Sequence, residues 1–229
     1  MECFPVIFLS LGPGDPELLT VKAANLLRQA DVVFTPSCTV RSRAADIVGQ
    51  WCQKERLKTY VLPMQKDRRQ VLEVYDYLSK DIAKAYHAGR RVVVAVEGDV
   101  SIYASIHNVL EYLQADGIPI VQEAGIPSFI AAASVAGLSL VSQEQRLVVI
   151  PGNARTDELY QLLQRGHTVV LMKLSRCEEE LKNLLRLHPT VECHYFENVG
   201  TPQQLYLTSH ADILARPVPY FSLAILRSN

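Results

Sequence analysis

Three short segments of this 229-residue chain place glycine beside carboxylate or hydroxyl side chains at the end of an apolar run. They are residues 11–17 (Leu-Gly-Pro-Gly-Asp-Pro-Glu), 96–103 (Val-Glu-Gly-Asp-Val-Ser-Ile-Tyr) and 123–129 (Glu-Ala-Gly-Ile-Pro-Ser-Phe). A glycine turn lets backbone approach a ligand closely, and the helix that follows presents free N–H groups at its start. Helix capping by Asp15, Asp99 or Ser101 and close packing explain the same residues without a ligand. Ligand binding and local structure therefore both stay open for each segment.

Two known phosphate-binding motifs do not fit these segments. In a dinucleotide-binding Rossmann motif a third glycine is expected where Glu17 stands, and no acidic residue follows the second predicted strand. A phosphate-binding P-loop needs Gly-Lys-Ser or Gly-Lys-Thr, which the chain lacks. The sequence thus disfavours the first motif and excludes the second.

The cysteines and histidines argue against disulfide and metal chemistry. Five cysteines is an odd number, and no two of them are spaced as Cys-x-x-Cys. We therefore expect reduced thiols in a cytoplasmic protein rather than a disulfide framework or a zinc site. The histidines also lack metal-ligand spacing, so no metal site is predicted. These residues are Cys3, Cys38, Cys52, Cys177 and Cys193, with His87, His107, His167, His188, His194 and His210.

The composition excludes several classes of protein. With 48% hydrophobic residues the chain can build a large core, so disorder is not expected. Its 23 basic and 24 acidic residues leave a net charge of -1, which gives no field to attract nucleic acid or an anionic membrane. An anionic ligand would have to meet a local basic patch. No apolar run approaches the ~18 residues of a membrane helix, and the first residues do not resemble a signal peptide.

Short apolar runs alternate with longer amphipathic ones, a pattern typical of an α/β protein. The turn at residues 117–119 is the best candidate boundary, so we expect domains at 1–117 and 118–229. A single helix is expected after Asp15, and Pro36 is expected to end the second strand. Further helices are predicted from Ser42, over 71–85, from Gly98 to Asp116 and around 131–133. Strands are predicted at 6–11, 32–35, 91–96, 119–123, 147–150, 168–172, 193–196 and 220–226.

Taken together, the three segments resemble the tetrapyrrole (corrin/porphyrin) methyltransferase family in their order and spacing. The resemblance continues through residues 168–173 (Thr-Val-Val-Leu-Met-Lys), 197–204 and 219–223 (Pro-Tyr-Phe-Ser-Leu), and so spans nearly the whole chain. The Leu-Met-Lys and Pro-Tyr-Phe-Ser stretches are most similar to the branch that methylates C20 of precorrin-2 or cobalt-factor II.

The resemblance implies a two-domain α/β fold, with a mostly parallel or mixed sheet flanked by helices in each domain and the active site in the cleft between them. It implies a homodimeric enzyme of cobalamin biosynthesis that uses S-adenosyl-L-methionine to methylate C20 of a tetrapyrrole, precorrin-2 or cobalt-factor II. Methylation of another ring position and a non-catalytic S-adenosylmethionine-binding role stay open. Methylation of a macromolecule fits less well, because the charge is near neutral and the chain carries the Pro-Tyr-Phe-Ser stretch.

Site residues carried over by motif fall into two groups. Gly12 and Gly14 would face the tetrapyrrole. The residues that would contact the cofactor are Pro13, Glu97, Gly98, Asp99, Ile102, Pro127, Ser128, Met172, Gly200, Ser222, Leu223 and Ala224. Two departures from the family pattern, Val100 in place of proline and Ala124 in place of proline before Gly125, predict altered loop stiffness.

The implied chemistry needs few catalytic side chains, because a sulfonium methyl group is already activated. The protein would align the reactants and exclude water. A base for proton removal would come from Asp15, Glu17 or Tyr103. Cations should meet the carboxylates of the substrate, although each candidate also suits a solvated surface. These candidates are Arg41 and Arg43, followed by Lys66, Arg68 and Arg69.

Overall fold

The computed structural model describes residues 4–37, 42–62 and 68–228, except the side chain of Arg68, and the chain divides into two compact units. The units are Met1–Pro127 and Ser128–Asn229, so the division falls ten residues after the expected boundary at 117/118. The reason is that strand Ile120–Glu123 pairs in parallel with strand Val6–Ser10 and completes the sheet of the first unit.

The first unit is built on a five-stranded, fully parallel sheet with the order β3-β2-β4-β1-β5. Its strands are β1 (Val6–Ser10), β2 (Val32–Ser37), β3 (Leu57–Val61), β4 (Val92–Val96) and β5 (Ile120–Glu123). All five residues of β4 are buried, as expected for a central strand that has helices on both of its faces.

Four helices cover the two faces of this sheet. They are α1 (Val21–Gln29), α2 (Arg43–Val48), α3 (Arg68–His87) and α4 (His107–Ala115). Residues of α1 and α2 pack with Leu9, Val93 and Ala95 in one apolar cluster. Residues of α3 and α4 pack with Phe8 and Val94 in another, on the opposite face. The alternation of side chains along each strand produces these two clusters.

The fold itself marks one edge of this sheet as the place for a ligand. Neighbouring strands β1 and β4 are followed by α1 and α4, whose side chains join clusters on opposite faces. The two connections therefore diverge to opposite faces of the sheet beyond the carboxyl ends of the strands. Open α/β sheets bind their ligands at such a switch point.

The second unit is built on a mixed five-stranded sheet with the order β6-β7-β10-β8-β9. Strands β6 and β7 are parallel, whereas β10 is antiparallel to both β7 and β8. The strands are β6 (Leu147–Ile150), β7 (Thr168–Leu171), β8 (Val191–Glu197), β9 (Leu205–Leu207) and β10 (Ser222–Ser228).

The helices of this unit are α5 (Ser128–Val135), α6 (Thr156–Gln164), α7 (Glu178–Leu187) and α8 (His210–Leu214). Helices α6, α7 and α8 pack on one face of the sheet, where Leu171, Tyr195 and Ala224 point into the core. Helix α5 contacts β10. The unit thus has its own apolar core.

The sequence predicted eight strands at or near their observed places, but some elements differ. The expected single helix after Asp15 is a 3-10 turn at Pro16–Leu18 followed by α1, because Thr20 provides a second cap by accepting a hydrogen bond from Ala23 N at 3.1 Å. Strand β2 continues through Pro36, which is tolerated because β4 pairs only with Val32–Phe34. The short edge strands β3 and β9 were not predicted.

Within the residues that the structure describes, no helix is long and apolar enough to cross a bilayer. The same described residues contain no group of three or more His, Cys, Asp or Glu side chains that could hold a metal ion.

Candidate functional site

The loops that follow β1 and β4 are joined directly at the switch point of the first unit. Gly12 N donates to Gly98 O at 3.1 Å, and Gly98 N donates to Gly12 O at 2.7 Å. Both residues have positive φ values, 76° and 75°, which glycine adopts without steric cost. A Cβ at Gly98 would meet nothing within 4 Å, so open space adjoins the backbone there. The bridge thus presents two loops side by side with an approachable main chain.

A second set of contacts ties the loop after β5 to the same place. Ser10 Oγ donates to Glu123 O at 2.7 Å and accepts from Val100 N at 2.9 Å. Gly125 lies so close that an added Cβ would stand 2.4 Å from the Ser10 Cβ. Only glycine fits this approach. The loops after β1, β4 and β5 therefore form one compact edge of the sheet, which we call the first edge.

Asp99 is the carboxylate at the centre of this edge. Its Oδ2 accepts from Gly125 N at 2.7 Å, and its Oδ1 accepts from Ser101 N at 2.8 Å and from the Ser101 hydroxyl. Burial would raise the pKa of Asp99, but these hydrogen bonds outweigh it and hold that pKa below its ordinary value. Asp99 is therefore ionised and fully occupied in positioning two loops.

Glu97 is the other carboxylate here, and its surroundings differ. It is partly buried, and none of the hydrogen bonds or ion pairs among the described residues involves its carboxyl group. Burial raises the pKa of Glu97, while the positive charge of Arg43 acts in the opposite direction. Arg43 also donates from Nη2 to Pro13 O at 3.1 Å and so connects α2 with the Gly-Pro-Gly loop. The predicted cation Arg43 therefore lies at this edge.

The other residues predicted for acid–base chemistry have different surroundings. Asp15 Oδ1 accepts from Glu17 N at 2.9 Å and caps the 3-10 turn, and Glu17 is exposed. Tyr103 is 42% exposed and has a left-handed backbone with φ 51°. Ile102 N donates to Asp99 O at 3.2 Å, which places Ile102 in the same loop. The predicted cations Arg41 and Lys66 lie outside the described residues, as does the side chain of Arg68.

The cofactor-binding residues predicted in the second unit lie at one edge of its sheet, which we call the second edge. Met172 follows β7, and Gly200 follows β8. Ser222–Ala224 begin β10, which is antiparallel to both of these strands. Within the sheet, Ser222 pairs with Glu197, and Ala224 pairs with Leu171. Ser222 Oγ donates to Pro219 O at 2.6 Å. Asn198 N donates to Phe221 O at 2.8 Å, and Gly200 N donates to Gln204 Oε1 at 2.9 Å. Pro127 and Ser128 lie at the division between the units and at the start of α5.

The sequence did not predict a network of charged side chains next to the second edge. Glu197 accepts from Tyr195 Oη at 2.6 Å and from Arg216 Nε at 2.8 Å. The buried Lys182 donates to Glu178 Oε1 at 2.6 Å and to Arg216 O at 2.8 Å. The residues are far apart in sequence, so only the i,i+4 spacing of Glu178 and Lys182 gave a signal. The network fixes the segment that leads into β10.

Comparison with known proteins identifies the chain. Residues 5–214 match the family of Tetrapyrrole (Corrin/Porphyrin) Methylases. This chain belongs to that family. The methylase is 31% identical over 231 residues to the precorrin-2 C(20)-methyltransferase of a Sinorhizobium species, covering 96% of this chain and 94% of the relative. It is 29% identical over 225 residues to the cobalt-precorrin-2 C(20)-methyltransferase of Salmonella typhimurium, covering 95% and 94%.

Solved structures match the fold and confirm the expected α/β class with a helix-flanked sheet in each unit. The methylase matches a cobalt precorrin-4 methyltransferase with a TM-score of 0.77 at 19% identity, covering 97% of this chain and 94% of the other. It matches a uroporphyrin-III C-methyltransferase from Thermus thermophilus, in complex with S-adenosyl homocysteine, with a TM-score of 0.70 at 22% identity, covering 98% and 97%. These likenesses concern the fold.

Family membership makes this chain an S-adenosylmethionine-dependent tetrapyrrole methyltransferase. The first edge suits such a cofactor, because the open space at Gly98 admits a ligand to the main chain. The site therefore fits the cofactor that the family requires.

Proposed function

We propose that this methylase transfers a methyl group to C20 of precorrin-2, or of its cobalt-containing form, in cobalamin biosynthesis. The observation that carries the proposal is the likeness at about 30% identity, over nearly the full length, to two relatives named for this ring position. The fold does not select a ring position, because it is shared with methyltransferases named for other tetrapyrroles.

We assign the cofactor contacts to both sheet edges. From the first unit they are Pro13, Glu97, Gly98, Asp99, Ile102 and Pro127, and from the second Ser128, Met172, Gly200, Ser222, Leu223 and Ala224. When bound, S-adenosylmethionine supplies a methyl group activated by a sulfonium centre. The three tied loops of the first edge preorganise the main chain toward the ligand, which lowers the entropic cost of alignment. Such alignment contributes up to roughly 7–11 kcal/mol to lowering a barrier.

The tetrapyrrole would lie along the Gly12–Gly14 loop. Its acetate and propionate groups need cations, and Arg43 is placed beside this loop through its hydrogen bond to Pro13 O. We keep Arg41 in the proposed substrate site on the strength of the resemblance alone. We also propose that the enzyme is a cytoplasmic homodimer, which the family resemblance supports and sedimentation velocity would test.

The decisive experiment is to incubate the purified protein with precorrin-2, with and without cobalt, and S-adenosylmethionine carrying a ¹³C methyl group. NMR of the product would locate the new methyl carbon. The proposal expects one ¹³C methyl at C20 and one equivalent of S-adenosylhomocysteine. A methyl group at another ring carbon would contradict the C20 assignment, and cofactor binding without turnover would favour the non-catalytic alternative.

A further inference from the structure

Methylation of a ring carbon that carries hydrogen leaves a proton to be removed. Once C20 has gained the methyl carbon, it is bonded to both hydrogen and methyl, and the macrocycle has lost conjugation. Transfer of the C20 proton to a base returns the C–H electron pair to the ring system. The base needs a free lone pair, shelter from water and a proton affinity above that of an ordinary carboxylate. This reasoning rests on the C20 methylation proposed above.

The acidic side chains of the first edge differ in how far they meet these needs. Asp99 has both oxygens engaged by Gly125 and Ser101. Asp15 is engaged by the amide of Glu17 in a turn cap, and Glu17 itself is exposed. Each of these carboxylates has a structural partner or open solvent around it.

Among these side chains, only Glu97 is both partly shielded from solvent and without a hydrogen-bond or ion-pair partner among the described residues. It is partly buried at the end of β4, beside the Gly12–Gly98 bridge, and its carboxyl group takes no part in the hydrogen bonds and ion pairs of the described residues. Alternation along β4 places it on the side of Val93 and Ala95, the face covered by α1 and α2. That face also carries Arg43, which reaches the adjoining loop.

The electrostatics of the position suit a base. Burial raises the pKa of Glu97, which strengthens the carboxylate as a proton acceptor. The charge of Arg43, on α2, opposes the rise and favours the ionised form that can accept a proton. Of the other charged groups nearby, Asp15 and Asp99 are held by the hydrogen bonds described above, and Glu17 is exposed. Glu123, at the end of β5, pairs with Lys22 at 2.6 Å. A raised pKa and a nearby cation are the surroundings that suit a general base.

We propose that the carboxylate of Glu97 accepts the proton released from the newly methylated carbon and passes it to solvent. This assignment differs from the sequence-based candidates Asp15, Glu17 and Tyr103, because Asp15 caps a turn and the other two are exposed. The cofactor contact assigned to Glu97 is confined to its main chain.

The test compares Glu97→Gln with the wild type, using precorrin-2 that carries deuterium or hydrogen at C20. Single turnovers are followed by S-adenosylhomocysteine release and by absorbance of the tetrapyrrole product. In E97Q, product formation should slow roughly 100-fold or more, lag behind S-adenosylhomocysteine release and show a primary deuterium isotope effect. Calorimetry should show S-adenosylmethionine affinity within about threefold of the wild type, since the substitution is isosteric.

Two further variants complete the design. Glu111→Gln, which removes an exposed glutamate of α4, should leave turnover and the isotope effect unchanged. Arg43→Gln should move the acid limb of the kcat profile to higher pH, because loss of the cation raises the pKa of Glu97 further. A residue that merely supported the loop would not shift this limb.

Three results would overturn the inference: a large loss of S-adenosylmethionine affinity in E97Q, synchronous release of both products without an isotope effect, or appearance of the isotope effect in Glu17→Gln instead. Failure of this inference is distinguishable from failure of the proposed function. If the wild type does not methylate C20, the proposed function fails, whereas normal wild-type turnover with an unaltered E97Q removes only the role of Glu97.

Discussion

Asp99 and Glu97 are two residues apart, yet the surrounding donors give them opposite properties. Asp99 faces the Gly125 amide and the amide and hydroxyl of Ser101, so its negative charge is well solvated by the protein. Glu97 is partly buried and has no such donors among the described residues. The local sequence Glu-Gly-Asp therefore provides one carboxylate for structure and leaves the other available for chemistry.

Replacement of Asp99 should affect both stability and cofactor affinity. Asp99→Ala leaves the amides of Gly125, which is partly buried, and Ser101, which is exposed, without their acceptor. Because water can replace part of the lost hydrogen bonding, the cost should lie at or below the ~1 kcal/mol end of the range for an unsatisfied buried group. The loops would loosen, and we expect S-adenosylmethionine binding to weaken at least tenfold by calorimetry. Ser101→Ala, which removes only the hydroxyl donor, is the matched control and should have a smaller effect. An unchanged affinity in D99A would disprove the role of this carboxylate in preparing the site.

The pH dependence of this effect has a defined sign. Because the folded state lowers the pKa of Asp99, ionised Asp99 stabilises the fold at pH values above its ordinary pKa of 3.8. That contribution is lost as the pH falls through the lower, folded-state value. Denaturant unfolding of wild type and Asp99→Asn should therefore differ most near neutral pH and converge in acid. Parallel curves over the whole range would contradict the assignment.

At the scale of elements, the ion pair of Glu197 and Arg216 joins the end of β8 to the segment that leads into β10. Glu197 is 10% exposed by its side chain, whereas Arg216 is 37% exposed. The hydroxyl of Tyr195 also donates to the carboxylate. Burial, together with this hydrogen bond to Glu197, raises the pKa of the Tyr195 phenol. This pair holds Ser222–Ala224 at the edge to which we assign the cofactor.

Arg216→Gln should destabilise the protein, because it leaves Glu197 buried with one partner fewer. Loss of one member of a fully buried pair costs about 3–5 kcal/mol, and the exposure of Arg216 reduces the expected value to about 2–3 kcal/mol. The matched control is Arg155→Gln, which breaks an exposed pair with Asp157 and should leave the denaturation midpoint unchanged. Equal midpoints for R216Q and R155Q would show that the buried network does not support the second sheet.

Elements with strong local signals could be predicted from the sequence, and those that depend on distant partners could not. The apolar run that forms β4 and the Ser42 cap of α2 are local signals, and both predictions are confirmed. Strand β3 has an exposed and mixed pattern, because it is an edge strand with little core to bury. The predicted loops could be placed by their glycines, but the contact between Gly125 and Ser10 spans more than a hundred residues and has no local signature.

At the scale of the whole molecule, each unit has its own apolar core. Two buried cysteines, Cys177 and Cys193, lie in the core of the second unit. Burial raises the pKa of the Cys193 thiol to about 12 and, with a contribution from Glu180, that of Cys177 to about 11. Cys52, in the first unit, is only half-buried. Because the thiolate is the reactive species, the buried thiols should be inert while the unit is folded.

This contrast predicts the order of thiol labelling. In the variant C3S/C38S, whose replaced cysteines lie outside the described residues, an alkylating reagent at pH 8 should label Cys52 in the native protein. Cys177 and Cys193 should react only as denaturant unfolds the second unit, and mass spectrometry of peptides would assign each site. Labelling of Cys193 well below the unfolding transition would show that this unit opens locally.

The strand order of the second sheet also bears on how the protein is made. Strand β10 follows β6 to β9 in the chain, yet it lies between β7 and β8 at the centre of their sheet. During synthesis β7 can pair with β6 and β8 with β9, but the other edge of β7 and of β8 stays unpaired until Ser222–Ser228 emerge from the ribosome. Every strand of the first sheet, by contrast, is available by Glu123. Strands with an unpaired edge promote aggregation of incompletely folded chains. We accordingly expect nascent chains that stop before β10 to depend on chaperones, and the first unit to fold while translation continues.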